Sequence, residues 1–169
     1  MPGPAGDRRE QVVAAAVAEF AAGGFHGATT AGIAGRVGVS QPYLYRLFPD
    51  KRALFAAAAE HCFGVLADTL ERACRGLRGA PALAAVDVAC AGLLAQRREV
   101  VLLLLHLAAA APSSPHPEDA RRIRAAWLAL GDGVAARTGL SGQALGARLA
   151  RSLVADVLRG PAGGAGRGR

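Results

Sequence analysis

The sequence predicts an all-α fold, built as a small three-helix N-terminal lobe followed by a larger helical body. Two observations carry the class. Apolar residues make up 52% of the 169 residues and aromatics only 5%, and alanine runs through every segment, which favours helices over sheet. Apolar side chains also recur at helical spacing between strong capping and breaking residues. A third observation divides the chain: seven of the eight aromatics (Phe20, Phe25, Tyr43, Tyr45, Phe48, Phe55 and Phe63) fall in the first 63 residues. They give a short segment large core fillers, and Trp127 is the exception.

From Asp7 to Ala22, the residues Val12, Val13, Ala16, Val17 and Phe20 form the stripe of an amphipathic helix, which Gly23-Gly24 stops. Thr29 or Thr30 caps a short second helix carrying Ile33, Ala34 and Val37 and ending at Gly38. Ser40 caps a third, from Gln41 to Phe48, where Pro42 is tolerated because a first-turn residue needs no intrahelical N–H partner. Asp50 caps a longer helix through Leu54, Phe55, Phe63, Leu66 and Leu70. Four further helices are expected at about Pro81 to Gln96, Glu99 to Ala111, Pro117 to Thr138 and Ser141 to Arg159. A loop is expected at Pro112 to Pro115, and the Gly-, Ala- and Arg-rich tail from Gly160 is expected to be disordered. The domains are therefore expected at 1–50, 51–159 and 160–169.

Two short helices joined by a tight turn with glycine make a helix-turn-helix, and Thr30 to Val37, Gly38-Val39-Ser40 and Gln41 to Phe48 supply it. On a helical wheel, Leu44, Leu47 and Phe48 share one face of the third helix. Pro42 and Arg46 lie opposite, with Gln41 and Tyr45 on one flank and Tyr43 on the other. Arginine can bond guanine O6 and N7 together, glutamine can do the same for adenine N6 and N7, and tyrosine hydroxyls suit phosphates. Lys51, a cation in the first turn after its cap, opposes the helix dipole unless a phosphate binds there. Thr30 and Lys51 are thus candidates to clamp the DNA backbone on either side of the reading helix. The formal charge of +7 and pI near 10.6 suit a polyanionic partner. Residues 1–55, however, hold six basic side chains against four acidic ones, so the argument rests on placed groups and not on the sum.

At these residues the chain resembles the TetR family of bacterial regulators: Thr30, Ile33-Ala34, Gly38-Val39-Ser40, Leu44-Tyr45, Phe48, Lys51 and Leu54 fall on its N-terminal signature, over roughly Arg8 to Phe55. The resemblance implies an all-helical homodimer whose first three helices bind an operator in double-stranded DNA. It also implies later helices that hold a small-molecule effector, and a last pair of helices that meets the second subunit. Carried over residue by residue, Thr30, Tyr45 and Lys51 match phosphate contacts. Gln41, Pro42, Tyr43 and Arg46 occupy base-facing positions. Pro42, Arg46 and Leu47 depart from the residues usual there and leave the operator open. Phe63, Leu66, Cys90, Leu94, Leu103, His106 and Trp127 are the candidate pocket residues in the body. The expected function is a repressor released by its ligand, or alternatively a redox sensor using Cys62, Cys74 or Cys90.

His106 is readable either as a core histidine or as a ligand group, and Trp127 as core, dimer or ligand packing. His61-Cys62 lacks partners at any metal-site spacing, so neither metal nor cofactor is expected. No nucleophile-base-acid set or phosphate loop argues for an enzyme. The polar first ten residues do not resemble a signal peptide. The apolar run Val100 to Ala111 is short of the roughly 20 residues that span a bilayer. An odd number of cysteines in no disulfide spacing fits a reducing cytoplasm, without membrane partners.

Overall fold

The computed structural model describes residues 4–110 and 116–159, apart from the side chains of residues 4–6, 153 and 156–159. Eight α-helices, and no strand, occur among the described residues: α1 (Pro4–Gly27), α2 (Thr30–Val37), α3 (Gln41–Leu47), α4 (Lys51–Ala73), α5 (Gly79–Gln96), α6 (Arg98–Ala110), α7 (Pro117–Thr138) and α8 (Gly142–Arg159). The helices fall where apolar period and caps place them, within a few residues at the ends. The expected loop at 112–115 and tail from 160 lie outside the described residues.

α1 runs past its expected stop. Its backbone kinks at Gly24 (φ 65°) and continues for one more turn to Gly27, with the Ala28 N–H donating to the Gly24 carbonyl at 3.2 Å. Thr29, not Thr30, caps α2: its hydroxyl accepts from the Gly32 N–H at 3.0 Å. Gly38 then adopts the left-handed conformation (φ 71°) that the turn between α2 and α3 requires, and the Val39 N–H returns to the Ala34 carbonyl at 3.0 Å. Ser40 caps α3 through the Tyr43 N–H at 3.3 Å. Asp50 caps α4 through the Ala53 N–H at 2.7 Å.

One continuous hydrophobic core runs from the lobe into the body, from Val12, Ala16 and Phe20 through Ile33, Leu44 and Leu54 to Leu103, Leu107, Leu145 and Leu149. α1 packs on both α4 and α6, so its apolar stripe closes the lobe and joins it to the body at once. In the lobe, Phe20, Phe25 and Phe55 meet edge to face or stacked, with centroids 4.9 to 6.3 Å apart. The ion pair Arg36–Glu19 at 2.9 Å fastens α2 to α1.

In the body, α7 runs beside α4 in the same direction: Arg52 pairs with Asp119 near their starts, and Phe63 meets Trp127 edge to face at 5.3 Å further along. α7 and α8 form a hairpin whose crossing is closest at two glycines. A Cβ on Gly131 would meet the Gly142 backbone, and a Cβ on Gly142 would meet the Trp127 carbonyl. Leu145 and Leu149 then enter the core, while Arg148 pairs with Asp87 and holds α8 to α5. α4 and α5 are long and apolar enough to cross a membrane by composition. Each turns a row of residues into the core instead: Leu54, Ala58, Cys62, Leu66 and Leu70 from α4, Ala82, Val86, Cys90 and Leu94 from α5.

Candidate nucleic-acid interface and ligand groove

α3 is seven residues long and Leu44 is its one buried side chain, fully covered, with Phe48 buried just beyond as the C-cap. That anchoring turns the rest of α3 outward. Gln41, Pro42, Tyr45 and Arg46 are exposed and Tyr43 half-buried, while Leu47 is only half-buried on the core side. The Arg46 guanidinium lies over the Tyr43 ring, 4.9 Å from its centroid. A charged fork, an amide and two phenols therefore stand on the outward side of α3.

Thr30 occupies a different place from that expected of a free phosphate ligand. It is the one buried polar residue among the described ones, 8% exposed, and its hydroxyl accepts from Gln41 Nε2 at 2.8 Å and lies 3.2 Å from the Tyr45 hydroxyl. The i, i+4 spacing of Gln41 and Tyr45 places them on one side of α3, but nothing in the sequence shows that Thr30 stands beneath both. Lys51 is half-buried: its ammonium reaches the His26 carbonyl at 3.4 Å and sits 4.9 Å from the centroid of the Phe25 ring. These contacts offset its position at a positive helix end even without a phosphate.

Next to Lys51, Arg52 bonds Asp119 at 2.8 Å and Glu118 at 2.6 Å. The first turn of α4, beside the reading helix, is thus tied to the first turn of α7 in the body. Hydrogen bonds from Arg52 hold the Glu118 carboxyl below the usual range, and both carboxylates raise the Arg52 guanidinium above its own. Partners 66 and 67 residues apart carry no local sequence signal.

The body contains an open groove of about 560 Å³ between α4 and α7, lined by Phe63, Ala67 and Leu70 on one side and Leu130 and Val134 on the other, with Glu71 and Arg137 as charged groups. Of the pocket residues expected from the sequence, Phe63 lines it. Leu66, Cys90, Leu94 and Leu103 are packed in the core; being apolar at helical spacing, they fill the space between helices and do not line this groove. His106 is exposed on α6. Trp127 is half-buried against Phe63 behind the groove, with its indole N–H buried and unpartnered. The groove residues that were missed, Leu130, Val134 and Arg137, follow Ala126 at i+4, i+8 and i+11 along one face of α7. A search for a mixed small and apolar stripe beside α4 would find them.

All three cysteines are free thiols in buried positions. Burial pushes Cys62 up to about 12 and Cys90 up to about 11, and the Cys74 thiol faces the Ala82 carbonyl at 3.7 Å. Oxidant sensing requires an accessible thiolate, and neither Cys62 nor Cys90 supplies one at neutral pH.

An all-helical chain that presents a capped helix-turn-helix with an exposed polar face is the architecture of a DNA-binding regulator. Residues 12–58, the segment that holds the helix-turn-helix, match the family described as bacterial regulatory proteins, tetR family. No curated protein matches the chain. Its fold is similar to that of the transcriptional regulator FadR from Bacillus subtilis, solved in complex with stearoyl-CoA, at a TM-score of 0.66 and 19% identity over 89% of this chain and 88% of that one. A transcriptional regulator from Pseudomonas aeruginosa PAO1 is similar at a TM-score of 0.60 and 23% identity, over 93% and 79% of the two chains. A TetR-like regulator from Rhodococcus sp. RHA1 is similar at 0.53 and 22%, over 95% and 100%.

Proposed function

We propose that the protein is a repressor that binds a pseudo-palindromic operator as a homodimer and leaves it when a small molecule binds the helical body. The observation that supports this best is the outer face of α3, where Gln41, Pro42, Tyr43 and Arg46 stand exposed or half-exposed within the segment, residues 12–58, that matches the family of bacterial regulatory proteins. Each α3 enters one major groove, two half-sites lying one helical turn apart. Arg46 and Gln41 read bases; Tyr45 and Lys51 hold phosphates, with Thr30 beside them. Residues 1–50 form the DNA-binding lobe and 51–159 the effector and dimer body, and the protein works in the cytoplasm, where its DNA is.

The effector enters the groove between α4 and α7. An apolar wall with Arg137 and Glu71 suits a molecule with a hydrocarbon part and a polar end, and the stearoyl-CoA bound by the Bacillus subtilis neighbour is of that kind. Occupancy that parts α4 from α7 strains the Arg52 link and shifts the reading heads away from operator spacing. Selection of bound fragments from a random DNA pool tests the DNA half. Enrichment of a two-fold symmetric site supports the proposal; recovery of no preferred sequence refutes it. Competition of long-chain acyl-CoA against that site tests the effector class.

A further inference from the structure

We propose that Thr30 is a positioning residue for base recognition: its hydroxyl fixes the side-chain amide of Gln41 so that the amide presents one N–H and its carbonyl to a base. This rests on the reading of α3 as the DNA-reading helix. Thr30 lies outside the reading helix, is nearly buried, and meets both Gln41 and Tyr45.

The bonding capacity of the three groups sets the direction. A threonine hydroxyl has one hydrogen and two lone pairs, and a glutamine amide has two N–H donors and a carbonyl acceptor. With Gln41 Nε2 donating to Thr30 Oγ1, one amide hydrogen is used. The other amide hydrogen and the carbonyl oxygen remain together at the exposed end of the side chain, the donor-acceptor pair that matches N7 and N6 of adenine. A flipped amide would present the opposite pattern, so holding the amide chooses the base. The Thr30 hydrogen is then free to go to the Tyr45 hydroxyl at 3.2 Å, and the Tyr45 hydrogen to a phosphate. Such a chain donates outward from the base reader to the backbone contact, and each bond polarises the next. Lost rotamer freedom in Gln41 is met before DNA arrives, which lowers the ordering cost of binding.

The test is a random-pool DNA selection run in parallel on the full-length wild type, Gln41→Ala, Thr30→Val, Thr30→Ser and Tyr45→Phe. Thr30→Val keeps the shape and removes the hydroxyl. The expected result is that Gln41→Ala and Thr30→Val lose the adenine preference at the same operator position, from roughly tenfold to within about twofold, with the other positions kept. Thr30→Ser restores it. Tyr45→Phe, which leaves the Gln41–Thr30 bond in place, lowers affinity for all sequences and keeps the preference. A Thr30→Val protein that weakens uniformly while retaining the preference would overturn the positioning role, as would loss of the preference in Tyr45→Phe. A wild type that enriches no sequence fails one stage earlier and removes the DNA reading itself. A readout independent of any Thr30 variant is the Gln41 side-chain amide in the nitrogen-proton NMR spectrum of the free protein, assigned by its disappearance in Gln41→Ala. The bonded amide hydrogen's resonance is expected displaced from its free-glutamine position, and a pair at the free-glutamine positions overturns the inference.

Discussion

Alanine at Gly131 and alanine at Gly133, two residues apart on the same helix, should change stability in opposite directions. Replacing glycine by alanine inside a helix ordinarily gains about 0.5–1 kcal/mol through reduced freedom of the unfolded chain. Gly133 is exposed with no atom within 4 Å of a built Cβ, so the full gain is expected there. A Cβ on Gly131 would lie 2.8 Å from the Gly142 Cα and closer still to its nitrogen. These are backbone atoms at the start of α8, and no side chain can swing aside. Relief requires α7 and α8 to part, which loosens Leu145 and Leu149. Overpacking of this kind costs about 1–3 kcal/mol, and a backbone obstacle places it at the upper end. Subtracting the helical gain leaves Gly131→Ala roughly 2 kcal/mol less stable. For a chain of this size that is a fall in Tm of about 4–8 °C, against a rise of about 1–4 °C for Gly133→Ala. Thermal unfolding by circular dichroism at fixed protomer concentration reads both. A Gly131→Ala protein as stable as the wild type would refute the close crossing and the hairpin packing derived from it.

Arg46→Ala should cost about 1–3 kcal/mol at the selected operator and relax one base position, while binding to random DNA changes little; fluorescence anisotropy on both DNAs checks it, and equal losses would argue against base readout. Glu118 titrates below the ordinary carboxylate range because Arg52 bonds its charged form. Its link to α4 is therefore complete above that range and is lost as pH falls through the lowered value. In Arg52→Gln the Glu118 midpoint, followed by carboxyl carbon NMR, should move back up, and an unmoved midpoint would remove the link from solution. Because burial raises Cys62 to about 12 and Cys90 to about 11, their contribution to stability is fully present below the ordinary thiol range. It falls as pH rises from about 9 toward those values, by at most about 1.4 kcal/mol per pH unit for each thiol. Denaturant unfolding at pH 8 and pH 10.5 should show this loss in the wild type and a smaller one in Cys62→Ala.

The lobe was legible in the sequence because its information is local. Ser40, Asp50, Gly38 and the Leu44 and Phe48 pair each act within four residues of themselves, and the caps and turns stand where they place them. Thr30 was legible as a residue at the start of α2 but not as a neighbour of Gln41, because that contact depends on how two helices cross. The body was legible as helices and not as a site. Leu66, Leu94 and Leu103 are the apolar residues that periodicity finds, and periodicity finds the core; the groove is made where small residues of α7 leave space beside α4. The Arg52 link joins charges that only the shared direction of α4 and α7 brings together.

The packing of α1 on both α4 and α6 bears on how such proteins can be recombined. Val12, Ala16, Val17 and Phe20 belong to the same core as Leu103 and Leu107, so a cut at residue 50 divides the sequence but leaves the fold in one piece. A chimaera that grafts residues 1–50 onto another helical body would set an apolar stripe against foreign helices. The exchangeable unit is narrower: the outward residues of α3, which touch little of that core, can be rewritten in place without disturbing it.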